Sequence, residues 1–405
     1  MEIIKGGVTA AKGFKASGIH VGLRRNVEKK DLALVYSDVV CNAAAVYTQN
    51  RIKGNPIYVT QDHIKNGKAQ AIIINSANAN TFNGKDGLIN AYKMTEFTSE
   101  KLSIKKEDVL VASTGVIGEP LKINLIEQNM DNLVHGLSKK GHLAAREAIM
   151  TTDMIKKEMT VSIQCDEKEV IIGGMAKGSG MIHPNMATVL GFITTDLNIE
   201  QNLLQEAISS AVKKSFNRIS VDGQTSTNDM VIILANGKAE NKKIKEKNED
   251  YRKFLLALTY ICKELAKCVA KDGEGASKLI ECEVSGSLDE EIAAKIAKAV
   301  ITSTLVKTAV FGSDANWGRI LCAIGCEDVH IDLDKIDVTF ESKKGYLEVC
   351  KRGVPLEFNE DKAKKVLGDD EITILIELNM GEERATAWGC DLTYEYVRIN
   401  GSYRS

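Results

Sequence analysis

Lys177-Gly178-Ser179-Gly180-Met181-Ile182-His183-Pro184-Asn185-Met186-Ala187-Thr188 runs directly into the apolar stretch Val189-Leu190-Gly191-Phe192-Ile193. Glycine admits backbone angles that other residues avoid, and proline fixes its own φ, so a segment rich in both holds a carbonyl in a set place. Ala187 keeps the side chain beside that carbonyl small, and Thr188 follows with a hydroxyl. This order suits a chain that cuts itself before Thr188 and then uses the new amino-terminal threonine as a nucleophile. The plainer reading of Thr188 is a β-branched residue at a strand start, where such residues are favoured.

The chemistry explains why a cut would matter. A threonine hydroxyl at its ordinary acidity needs a base before it attacks. Within the intact chain the Thr188 nitrogen is an amide and accepts no proton. Once freed it is an α-amine with a reference pKa of about 7.7–8.0, and its neutral fraction takes the hydroxyl proton of its own residue. The cut itself reads as an N-to-O acyl shift, in which the Thr188 hydroxyl attacks the Ala187 carbonyl and water splits the resulting ester. His183 is a second candidate base; with the amine available, a positioning or packing role fits it better.

The chain has 405 residues, beyond the roughly 250–300 at which one core stops growing, so two intimately packed lobes are expected. An apolar fraction of 44% and only 4 prolines mark an ordered globular protein. The formal charge of −2, from 53 basic and 55 acidic residues, points to neither nucleic acid nor an anionic membrane as partner. No apolar run is long enough to span a bilayer, and Met1-Glu2-Ile3-Ile4-Lys5 lacks the layout of a signal peptide, so a cytoplasmic location is expected. The 9 cysteines are scattered without CxxC spacing and the 6 histidines do not cluster, so neither disulfides nor a metal are expected.

Short β-rich runs alternate with longer amphipathic segments, which predicts an α/β chain, an α+β layered sandwich. Strands are expected at 71–75, 109–112, 161–164, 170–173, 189–194, 230–235, 279–284 and 372–378. Asn198 and Gln201 form a capping-box signature before a helix over 203–214. Leu255, Leu258, Cys262, Leu265 and Val269 recur at helical spacing, with Gly273 closing that helix. A third helix is expected near 290–301. The lysine-rich stretch 240–247 reads as a solvated loop.

A developing oxyanion needs preorganised donors. Ala112-Ser113-Thr114-Gly115-Val116-Ile117-Gly118 offers a hydroxyl and flexible backbone N–H groups after a strand, though Ser-Thr-Gly is also common in turns. Both this segment and the stretch ending at Thr188 resemble those of the ornithine acetyltransferase (glutamate N-acetyltransferase) family. The likeness runs almost end to end. It includes Lys12-Gly13-Phe14, Asn75-Ser76-Ala77-Asn78-Ala79-Asn80, Asp222-Gly223-Gln224-Thr225-Ser226-Thr227-Asn228-Asp229, Asp272-Gly273-Glu274-Gly275, Asp314-Ala315-Asn316-Trp317-Gly318-Arg319 and Trp388-Gly389-Cys390-Asp391.

The resemblance implies transfer of acetyl from N-acetylornithine to glutamate in arginine biosynthesis, with acetyl-CoA a further donor in some members. It implies self-cleavage between Ala187 and Thr188 into an alpha chain, 1–187, and a beta chain, 188–405. These pair into a heterotetramer of two alpha and two beta chains, with no metal or prosthetic group. Thr188 is then the nucleophile, Thr114 and Gly115 form the oxyanion hole, and substrate contacts fall on Thr151, Lys177, Thr188, Glu274, Asn400 and Ser405. Lys177, Thr151 and Asn400 suit an α-carboxylate, and Glu274 suits ornithine's distal ammonium. Read alone, Glu274 is a solvated loop acid past a helix end, and Asn228 and Asp229 are a turn or cap ahead of a strand. The chain departs from the family where Met154 replaces a hydroxyl residue and where Ser405 stands for a frequent threonine.

Two other readings remain. An N-terminal-nucleophile amidase or aminopeptidase would use the same threonine with water as acceptor. A phosphate-cradling loop at Gly173–Gly180 lacks GxxxxGK[ST], and its lysine precedes the key glycines.

Overall fold

The computed structural model describes residues 1–183 and 189–402, so Ala187, Thr188 and Ser405 lie outside the described residues. The described chain forms two compact units, one of residues 1–178, 189–217 and 225–265, the other of 179–183, 218–224 and 266–402.

The first unit is built on a 9-stranded sheet. From one edge its strands are Glu2–Ile3, Lys157–Cys165, Lys168–Lys177, Leu190–Thr195, Met230–Ala235, Leu32–Tyr47, Lys68–Asn75 and Val109–Ser113. Phe14–Ile19 also pairs with the long Leu32–Tyr47 strand. The strand Met230–Ala235 is apolar at every position, and Val109–Ser113 at all but its last, because both faces are covered. Ile72, Ile74, Leu110 and Ala112 point into one core with Phe14, Phe192 and Ile232. Their neighbours Ala71, Ile73, Val109 and Val111 point into another with Met94, Ile126 and Met130, side chains of helices Gly84–Leu102 and Ile123–His135. Each fully buried isoleucine, leucine or phenylalanine contributes roughly 1.5–3 kcal/mol.

Register fixes what flanks the chain just after Thr188. Lys177 is opposite Leu190 in an antiparallel pair, and Leu190 is level with Met230 in a parallel one. The Met230 N–H donates to the Val189 carbonyl at 3.2 Å.

The second unit carries a 7-stranded sheet ordered Val354–Pro355, Gly345–Lys351, Asp337–Ser342, Glu371–Glu377, Leu279–Ser287, Glu383–Cys390 and Ile219–Ser220. Helix Glu290–Thr302 packs on it through Ala293, Ile296, Ala297 and Val300. The Asp289 side chain caps that helix by accepting from the Ile292 N–H at 2.8 Å.

Each expected strand is present, and the mixed α/β class holds. Local signals at two helices are corrected. The helix Gln201–Lys213 has Glu200 as its N-cap and no side-chain cap, and the Asn198 side chain is turned to a remote partner instead, donating to Asn241 O at 3.4 Å. Gly273 follows the helix Glu249–Lys271, but it is required by space: a Cβ there would lie 2.6 Å from Cys390 Sγ. The left-handed turn falls on Gly275, at φ 69°.

Candidate active site

The strand Val109–Ser113 ends where backbone bonds hand the chain to a neighbouring loop. The Thr114 N–H donates to Asn75 O at 3.0 Å, and the Val116 N–H to Ala77 O at 3.2 Å. Between them Gly115 sits at φ 134°, and a Cβ there would be 2.2 Å from the Ala77 carbonyl carbon. Only glycine fits so close a crossing in that conformation. Among the described residues the Gly115 N–H meets no acceptor. The segment thus presents a hydroxyl and a spare N–H from adjacent residues, the donor pair an oxyanion needs.

Lys177 ends its strand with its side chain buried, and its ammonium donates to Thr114 Oγ1 at 3.4 Å. Beneath it lies a buried acid. Asp153 accepts from Lys157 Nζ at 2.8 Å, from the Gly178 N–H at 2.7 Å and from the Thr151 N–H at 3.0 Å. Burial works against the Asp153 charge, but Lys177 and Lys157 outweigh it and hold the carboxyl well below the usual carboxylate range. A buried carboxylate with two cations and two backbone donors is a rigid anchor. It fixes both Thr151 and Lys177, and leaves a positive charge beside Thr114.

The loop at Thr225–Asp229 is more than a turn or cap. Asn228 Nδ2 donates to Ala79 O at 2.5 Å and to Ser113 O at 3.0 Å, and its oxygen accepts from Thr81 Oγ1 at 2.6 Å. One buried amide therefore ties the loop before the Met230 strand to the residue preceding Thr114.

In the second unit Glu274 is buried, with its N–H bonded to Ser179 O at 3.0 Å. Its carboxylate accepts from Asn400 Nδ2 at 2.8 Å. Gly180 makes room for it, since a Cβ there would come within 2.3 Å of that carboxylate. Asn400 belongs to the helix Tyr394–Gly401 and also donates to Tyr396 O at 3.1 Å, so its amide orients the acid. The loop before Pro184 is pinned by Asp222, which accepts from the Met181 and Ile182 N–H groups at 2.6 and 2.9 Å. His183 Nδ1 lies 3.1 Å from Ser220 Oγ. Burial, aided by the Lys298 charge, pushes its imidazole down to about 4, so it is neutral near pH 7.

The residues singled out by sequence thus fall into two groups. Thr114, Gly115, Thr151 and Lys177 gather in the first unit, while Glu274 and Asn400 meet in the second. Sequence reading passed over Asp153, Asp222 and the long reach of Asn228. Asp153 and Lys157 stand at i,i+4, a spacing that also fits any exposed ion pair. Met154 is 84% exposed, so the family's second hydroxyl is replaced at a surface position. Among the described residues no three His, Cys, Asp or Glu side chains converge as a metal-binding group, and no helix is long and apolar enough to cross a membrane.

Comparison with known proteins bears on the whole chain. It is 49% identical over 405 residues to the arginine biosynthesis bifunctional protein ArgJ of Caldanaerobacter subterraneus subsp. tengcongensis, covering 100% of both. It is 50% identical over 398 residues to arginine biosynthesis bifunctional protein ArgJ 1 of Clostridium acetobutylicum, covering 98% of this chain and 97% of that one. A crystal structure of arginine biosynthesis bifunctional protein argJ from Bacillus halodurans is 45% identical, covers 52% of this chain and 97% of its own, and has a TM-score of 0.49. The ArgJ family pattern matches residues 15–405, and on that match and those identities the chain belongs to the ArgJ family.

Proposed function

We propose that this chain is a glutamate N-acetyltransferase that takes acetyl from N-acetylornithine, holds it as an ester on Thr188 and delivers it to glutamate. The observation that carries the reading is the donor pair Thr114 and Gly115 with the Lys177 ammonium beside it, on a strand whose end is level with Leu190. Thr188 stands two residues before Leu190 in the chain. Self-cleavage between Ala187 and Thr188 supplies the α-amine that activates the hydroxyl. Thr151 and Lys177 receive a substrate carboxylate, and Glu274 and Asn400, with Ser405, receive the amino-acid side chain. Acetyl-CoA serves as a second donor to the same threonine. The protein works in the cytoplasm as a heterotetramer of two alpha chains, 1–187, and two beta chains, 188–405.

One nucleophile serving two substrates in turn requires a ping-pong mechanism, with ornithine leaving before glutamate enters. Parallel double-reciprocal plots and one added acetyl group on the Thr188–Ser405 fragment are the expected results. Intersecting plots without a trapped adduct would replace the ester with direct transfer. Acetate release that ignores glutamate would make the chain an amidase. Thr188→Ala is expected to stay uncut and inactive; a single intact, fully active chain would sink the proposal.

A further inference from the structure

One buried acid beside this chemistry has no part in the scheme so far. Asp229 is 4% exposed and directly precedes the Met230 strand. Its backbone is fixed on both sides: its carbonyl accepts from the Thr48 N–H at 2.9 Å, and the next N–H, of Met230, donates to Val189 O at 3.2 Å. Val189 is the residue that follows Thr188. The preceding residue, Asn228, is the amide locked to Ser113 and Ala79. The Asp229 backbone is therefore held beside Val189, on the unit that carries Thr114 and Lys177. Among the described residues its Oδ2 has no hydrogen-bond partner. A buried carboxyl oxygen that no protein donor claims is open to a reacting group.

We propose that Asp229 is the proton carrier for the Thr188 nitrogen during self-cleavage. The inference rests on the reading of Thr188 as the nucleophile. In the step, a bond forms between Thr188 Oγ and the Ala187 carbonyl carbon while the carbon–nitrogen bond breaks. The Asp229 carboxyl gives its proton to the departing nitrogen, which becomes the α-amine. The carboxylate takes the Thr188 hydroxyl proton in return, so the acid is restored and no external proton is consumed. Water then splits the ester, releasing the Ala187 carboxyl and the Thr188 hydroxyl.

The local electrostatics fit a group that must hold a proton before it can give one. Burial raises the Asp229 pKa well above the ordinary carboxylate value, against a hydrogen bond from Ser226 and the charge of Lys177. Lys177 is the charged group that bears on it, and Lys177 is itself partly balanced by Asp153. Asp153 and Asp229 thus divide the work of two carboxyls in one region. Two lysines favour the charged form of the first, and burial favours the proton-bearing form of the second.

The test uses the full-length chain with Asp229→Asn, whose amide copies the neutral acid's shape and cannot exchange a proton in this way. Appearance of the fragments 1–187 and 188–405 is timed on denaturing gels across pH. Cleavage is expected to slow by about 100-fold or more, the size typical of a lost general acid, with circular dichroism and melting unchanged. Asp229→Glu is expected to cleave with a displaced pH profile. Cleavage of Asp229→Asn at the wild-type rate and with the wild-type pH profile overturns the assignment. Should Asp229→Asn fail to fold, Asp229→Glu decides: a displaced profile supports the role, and a wild-type rate and profile overturn it. Thr188→Ala runs alongside. If it is cut, the nucleophile reading falls and this inference with it. If it stays uncut while Asp229→Asn cleaves normally, only the Asp229 role is lost.

Discussion

Two short segments, Ser113–Gly115 and Asp272–Gly275, each follow a regular element and each carry a residue of the candidate chemistry; the backbones of both are bonded in place, and they differ in what supports the functional group. The first is locked by buried bonds: Thr114 N to Asn75 O at 3.0 Å, Ser113 Oγ to Asn75 Oδ1 at 2.6 Å, and Asn228 Nδ2 to Ser113 O at 3.0 Å. The second presents Glu274 against Asn400 of the helix Tyr394–Gly401, none of whose described residues is buried and whose Tyr394 is 83% exposed. Donors that must meet a transient charge are useful only if they are already in place, whereas a recognition group tolerates adjustment as ligand arrives. The contrast predicts that changes in the first segment reduce turnover and changes in the second reduce affinity.

The largest effect is expected from Gly115→Ala. The added methyl would sit 2.2 Å from the Ala77 carbonyl carbon, in a conformation that alanine avoids, so the segment must move and both donors move with it. A fall in kcat of about 10³-fold is expected, together with slowed self-cleavage. Near-normal turnover would show that the segment is a turn and no oxyanion hole. Thr114→Ala removes one donor without moving the other, and kcat should fall about 10²-fold with little change in KM. A change confined to KM would place Thr114 among the binding groups.

In the second segment, Asn400→Ala frees the Glu274 carboxylate from its 2.8 Å donor. KM for N-acetylornithine should rise about 10-fold while kcat and self-cleavage hold, the pattern of lost uniform binding. Removing Gly401–Ser405 should act the same way. Unchanged kinetics in both would mean that this end of the chain takes no part in binding.

The contrast also explains what the sequence could and could not disclose. Strands such as Met230–Ala235 and Val109–Ser113 are legible because burial on both faces demands near-continuous apolar runs. Glycines at close crossings leave a mark as well, as in Ser-Thr-Gly before Val116. Partners far apart in the chain leave none. Asn198 looked like a helix cap because capping is a local rule, and its actual partner, Asn241, is remote. Asn228 looked like a turn residue for the same reason, while its side chain spans to Ala79 and Ser113. Asp153 gave only an i,i+4 spacing with Lys157, and spacing does not report that both side chains are fully buried.

The smallest expected effect separates a buried titrating group in the first unit from a half-buried one in the second. Asp153 has a depressed pKa, so its contribution to stability is complete above the unfolded value of about 3.9 and disappears only as pH falls below it. Between pH 7 and 5 it contributes no slope. His183 is also depressed, to about 4, by burial and then by Lys298. Its unfolded value is about 6.5, so as pH falls below that point the unfolded chain takes up a proton that the folded chain refuses. The stability due to neutral His183 is therefore complete above pH 6.5 and is lost as pH drops toward 4. His183→Gln keeps a side-chain partner for the Ser220 hydroxyl and does not titrate. Its melting temperature should fall less than the wild type's between pH 7 and 5, by about 2 °C. Equal falls would assign the acid sensitivity elsewhere. The same variant tests the rival base for self-cleavage, because the proton exchange assigned to Asp229 needs no imidazole. Cleavage at the wild-type rate in His183→Gln leaves the histidine a packing role, and an uncut chain would make it the base instead.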